Sequence, residues 1–99
     1  MVSARTVRSL RAQRDLEDIF AYIVENSGPY QAAGVLRRIE EAMVLLGHAP
    51  RLGRVRADLE GAPHSFSVRP WAILYDALPN GEGVFILRVV DGRRDLSQI

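Results

Sequence analysis

Two apolar stripes at helical spacing, joined by a four-residue break, constrain this chain most. Ala12, Leu16, Ile19, Phe20 and Ile23 repeat on one face of a first helix, with Arg14, Glu17 and Glu25 on the other side. Ser9 is placed to cap its N-terminus. A second stripe, Ala32, Val35, Leu36, Ile39, Ala42, Met43 and Leu46, predicts a helix over 29–46, with Gly47 as its stop. Between them, Asn26-Ser27-Gly28-Pro29 ends one helix and starts the next, because glycine suits a helix C-terminus and proline a first turn. So short a link makes an antiparallel hairpin. The spacing offers Arg14–Asp18 and Arg37–Glu41 as ion pairs on its outer face.

A lone hairpin cannot bury two apolar stripes, so the rest of the chain must supply a surface. Residues 84–90, Val-Phe-Ile-Leu-Arg-Val-Val, read as a buried strand interrupted by one arginine and closing on Asp91-Gly92-Arg93-Arg94-Asp95. Residues 71–75 and 64–69 read as two further strands, with Pro70 at the bend between them and a hairpin turn over 79–83. Residues 4–8 form a short first strand, and 48–56 are irregular and basic. The expected fold is α+β, in the order β-α-α-β-β-β, with the hairpin packed on one face of a small, mainly antiparallel sheet. At 99 residues the chain is expected to form a single domain over 1–99. There are no repeats and no low-complexity segment.

The residue inventory excludes several chemistries. With no cysteine there is neither a disulfide framework nor a thiolate site. Lysine is absent too, so every permanent side-chain cation is arginine, a good partner for carboxylate or phosphate and a poor general base. His48 and His64 have no metal-ligand spacing, and no metal or cofactor is expected. Ser65 and Ser67 lack a nucleophile-elbow signature, and the glycines near Gly81 do not lie between a strand and a helix. Asp15, Glu17 and Asp18 read as a solvated helix face. No signal peptide or membrane span is evident, so the expected location is cytoplasmic, without a membrane partner.

What remains is arginine and aromatic surface. A net charge of +1 is low for a non-specific nucleic-acid binder and suits protein partners with local charge complementarity. Arg51, Arg54, Arg56, Arg69, Arg88, Arg93 and Arg94 either cluster into a patch or scatter as solubilising charge. Trp71 and Tyr75, four apart on one strand, share a face, either as core or as an open aromatic surface.

The order of elements, with Asp15-Leu16-Glu17-Asp18-Ile19-Phe20-Ala21-Tyr22-Ile23, resembles the ParE toxins of the RelE/ParE superfamily. Ala32 fits the pattern, as do Pro50-Arg51-Leu52-Gly53-Arg54, Val68-Arg69-Pro70 with Ile73 and Tyr75, and Arg88-Val89-Val90-Asp91-Gly92-Arg93-Arg94-Asp95. The resemblance covers nearly the whole chain. One departure is Asp91, where many relatives carry histidine before Gly-Arg-Arg.

The resemblance implies a type II toxin, neutralised by a ParD-like antitoxin whose C-terminal segment folds on it. Operator DNA would be reached only through that antitoxin. Leu16, Phe20, Ile23, Leu36, Ile39 and Trp71 are the implied antitoxin contacts. ParE-type relatives stabilise the cleaved-DNA state of DNA gyrase, which needs a binding surface and no catalytic residue. Arg88, Arg93 and Arg94, with Arg69 second, are the expected target-facing residues. RelE-type relatives instead cut messenger RNA on the ribosome, often with a late tyrosine. This chain's tyrosines are Tyr22, Tyr30 and Tyr75, none of them late. A third reading is a non-toxic binding module in an autoregulatory complex.

Overall fold

Ser9 turns the chain from its first strand into its first helix. In the computed structural model, which describes residues 5–98, β1 is Arg5–Arg8 and α1 is Leu10–Ser27. Ala4, expected in the strand, lies outside the described residues. The Ser9 hydroxyl accepts the Ala12 N–H at 2.9 Å, satisfying one of the free donors of the first turn. The same hydroxyl donates to the Leu87 carbonyl at 2.8 Å, and the Ser9 N–H donates to the Ile86 carbonyl at 2.9 Å. One residue thus caps α1 and ties its start to the strand that contains Ile86.

Gly28 closes α1 by donating its N–H to the Val24 carbonyl at 2.9 Å, and Pro29 opens α2, Pro29–His48. The second helix therefore runs through Gly47, which was expected to stop it. Gly47 is needed there for a different reason. A Cβ on it would stand 2.7 Å from the Thr6 Oγ1 and 3.2 Å from the Arg5 carbonyl oxygen, so glycine lets α2 lie close on β1. The Thr6 hydroxyl donates to the Met43 carbonyl at 2.7 Å across that contact.

Four more strands follow: β2, Arg54–Val55; β3, His64–Val68; β4, Trp71–Ala77; and β5, Gly83–Asp91. The two-residue β2 is too short to show alternation, and it falls within the 48–56 segment expected to be irregular. Sheet order is β1-β5-β4-β3-β2, antiparallel except for β1 alongside β5. A parallel pair requires a long crossover, and the helical hairpin is part of it.

The hairpin covers one sheet face. Leu16, Ile19, Ile39, Met43 and Leu46 pack there on Ile73, Tyr75, Val84, Ile86 and Val89. A smaller cluster, Ala72, Leu74, Val90 and Leu96 with Leu59, fills part of the opposite face, Leu96 coming from the turn after β5. Leu74 pairs with Arg88 but Tyr75 with Ile86, leaving Leu87 as an extra residue in β5. That bulge is why Ile86 and Val89, three apart, both reach the helical side.

The outer ion pairs differ from those expected. Among the described residues Arg14–Asp18 and Arg37–Glu41 do not pair; Arg8 meets Glu40 at 2.9 Å and Arg11 meets Asp15 at 3.6 Å. Arg11–Asp15 keeps the four-residue helical spacing within α1, whereas Arg8–Glu40 joins β1 to α2.

Candidate functional site

The arginine in the middle of β5 is engaged within the fold. Arg88 donates through Nε to Asp15 Oδ2 at 2.8 Å and through Nη2 to Asp15 Oδ1 at 3.2 Å. Asp15 also accepts the Val89 N–H at 3.0 Å. Along β5 the pairing with β1 ends at Ile86, and beyond it Ser9 and Asp15 take up backbone groups that β1 does not reach. Asp15, 7% exposed, is therefore no part of a solvated face; it is an anchor between α1 and β5. Arg88, expected at the target-facing surface, is thus engaged by Asp15, and its side chain is 23% exposed.

Of the other three rim arginines, Arg93 bonds the Asp91 carboxylate through Nε at 2.9 Å and Nη2 at 2.7 Å, yet keeps a 74% exposed side chain. The Arg93 side chain, helped by its backbone N–H, holds the Asp91 carboxyl at about 2, so this pair is ionised at any physiological pH. Asp91 thus orients Arg93, using two of its guanidinium N–H groups and leaving the rest outward. Arg69 and Arg94 are exposed and have no carboxylate partner among the described residues. Arg69 and Arg93 line one recess of about 630 Å³ with Ser67, Pro70, Trp71 and Gly92. The Gly92 N–H donates to the Pro70 carbonyl at 2.8 Å, closing the end of β5 onto the β3–β4 bend.

The residues assigned to an antitoxin divide by burial. Ile39 is fully buried, and Leu16 and Ile23 nearly so, hence these are core first. Phe20, 36% exposed, and the half-buried Leu36 open onto a recess of about 330 Å³ between the helices, with Leu16 at its floor and Arg8, Glu17 and Glu40 around it. Trp71 packs against the helical core and stays half-buried.

Tyr75 has a role that sequence reasoning missed. It is wholly buried; its hydroxyl donates to the Pro50 carbonyl at 2.8 Å and accepts the Gly53 N–H at 2.9 Å. A Cβ on Gly53 would stand 2.7 Å from that hydroxyl. His64 stacks on the ring at 5.1 Å between centroids. The basic loop over 50–54 is thereby pinned to the sheet, with Arg51, Leu52 and Arg54 outward. Tyr75→Phe would strand two backbone groups in a buried site. It is expected to cost about 2 kcal/mol, measured by urea unfolding, with increased amide exchange at Gly53.

Among the described residues no His, Asp and Glu group has the geometry to hold a metal, and no helix is long and apolar enough to cross a membrane. The family model described as ParE toxin of type II toxin-antitoxin system, parDE, matches residues 7–96. The chain belongs to the ParE toxin family.

Toxin ParE3 of Caulobacter vibrioides is 43% identical over 93 residues, covering 94% of this chain and 91% of the relative. A solved structure described as the chromosomal ParDE TA system from P. aeruginosa superposes with a TM-score of 0.74. It is 22% identical and covers 92% of this chain and 96% of its own. That neighbour shares the fold, two helices on a mostly antiparallel five-stranded sheet. Within this ParE fold, the accessible features include the arginine rim at the β4 and β5 ends and the recess between the helices.

Proposed function

We propose that the protein inhibits DNA gyrase by stabilising its cleaved-DNA complex and is neutralised by a ParD-like antitoxin. Membership in the ParE family supports a toxin of a type II module. The observation that carries the finer reading is the rim: Arg69, Arg93 and Arg94 are exposed, and the carboxylate beside the recess that Arg69 and Arg93 line, Asp91, is paired with Arg93 and held at about 2, too acidic to act as a general base. Such a surface binds and orients anionic groups; it offers no group to activate a ribose hydroxyl for messenger RNA cleavage. The protein then acts as a cytoplasmic binding toxin, not an enzyme, with Arg88 and Asp15 holding the strand that leads to the rim.

The groove at Phe20 and Leu36 suits the apolar face of an antitoxin helix, with Arg8, Glu17 and Glu40 to fix its register. The antitoxin carries any contact to operator DNA. The test is gyrase on supercoiled plasmid with toxin, then with toxin plus antitoxin. Linear, protein-linked DNA that antitoxin suppresses is the expected result. A preparation that arrests growth and leaves gyrase unaffected would refute the proposal; ribosome-dependent RNA cleavage would then be tested.

A further inference from the structure

Trp71 is the one tryptophan of the chain, and it lies at the boundary of two recesses. One side of the residue packs into the helical core. What remains accessible opens toward Arg69 and Arg93 in the recess of about 630 Å³, and toward Arg38, Gln31 and Ser27 in a second of about 460 Å³. Pro70 lines both. Arg38 and Arg69 have no carboxylate partner among the described residues, and Arg93 is held outward by Asp91.

We infer that this double recess binds single-stranded DNA, one base stacking on Trp71 while Arg38, Arg69 and Arg93 hold the phosphates that flank it. An aromatic platform with guanidinium groups to either side matches the alternation of base and phosphate along a strand, and stacking of this kind tolerates any base; at a net charge of +1 the attraction comes from these three local arginines and not from the field of the whole protein. An acidic peptide fits less well. Trp71 pairs with Val68 on one side and Asp91 on the other, so β4 offers an extended peptide no free backbone there. An acidic side chain gains little from an indole face. The inference deepens the gyrase reading and rests on it for the source of the strand, the DNA opened in the cleaved complex. The ligand chemistry is tested without gyrase.

The intrinsic fluorescence of Trp71 reports directly. Titrating the purified toxin with a short oligothymidylate is expected to quench it, with affinity falling as salt rises. About three phosphate contacts predict a log–log slope near −2. Arg38→Ala and Arg69→Ala are each expected to reduce that slope by about 0.7 and leave the thermal midpoint unchanged. Trp71→Phe, read by anisotropy of a labelled oligonucleotide, is expected to weaken binding, because a single ring offers less stacking area than an indole. Absence of quenching would overturn the inference, as would affinities that ignore Arg38→Ala and Arg69→Ala. Equal affinity for polyglutamate of matched charge would also overturn it, identifying an acidic-peptide site. A toxin that poisons gyrase yet does not respond to the oligonucleotide loses this inference alone; one that binds the oligonucleotide and spares gyrase loses only the gyrase reading.

Discussion

An Arg88→Ala variant is expected to lose about 3 kcal/mol of stability, the scale for breaking a buried ion pair from one side. For a chain of this length that is a fall of roughly 15 °C in thermal midpoint. The cause is the carboxylate left behind. Asp15 is 7% exposed, and without the guanidinium its remaining short contacts are the Val89 N–H and, at 3.6 Å, the Arg11 Nε. Asp15→Asn with Arg88→Gln is expected to recover much of the loss, because Asn still accepts from Val89 and no charge is stranded. Calorimetry on the two variants reads both effects. A target-facing Arg88 would give the opposite pattern, with activity lost at an unchanged midpoint.

Gly83→Ala is expected to be as damaging, costing about 3 kcal/mol or more through combined backbone strain and overpacking. Gly83 has a φ of +129°, in a region that side chains rarely adopt. A Cβ there would run into the carbonyl of Arg5, its register partner in β1. The backbone oxygen cannot move aside without breaking the parallel pairing that starts at Arg5↔Gly83. Since α2 lies on β1 through Gly47 and Thr6, the damage should spread to the helical layer, seen as lost exchange protection at residues 5–8 and near Met43. Preserved protection at both places would refute this.

The two stripes and the Asn26–Pro29 break announced the hairpin, because burial on one helical face leaves a period in the sequence. The strands over 64–68, 71–77 and 83–91 were legible from their apolar runs, although their ends shifted by one or two residues. What escaped was long-range pairing. Asp15 falls at the spacing of the apolar stripe, three residues after Ala12, and Arg88 interrupts an apolar strand. Each is an anomaly alone, and only the fold shows that they answer each other across 73 positions. Gly47 looked like a helix stop because glycine usually weakens helices, whereas its lack of a side chain serves contact with β1. Tyr75 gave no signal of its second role, since a buried strand residue and a loop anchor look alike in sequence. The rim was legible in part: Arg93 and Arg94 follow a glycine at the end of the last strand, while Arg38 from α2 joins the Trp71 surface only in three dimensions.

The central claim is that the arginine rim acts on the target while the helical groove serves the antitoxin. Arg93→Ala with Arg94→Ala tests it most directly, because both side chains are exposed and their removal should cost little stability. Gyrase-mediated plasmid cleavage is measured beside antitoxin affinity on the same folded double variant. Loss of cleavage stabilisation with antitoxin binding retained is the predicted result. Cleavage stabilisation undiminished in the folded double variant would contradict the account.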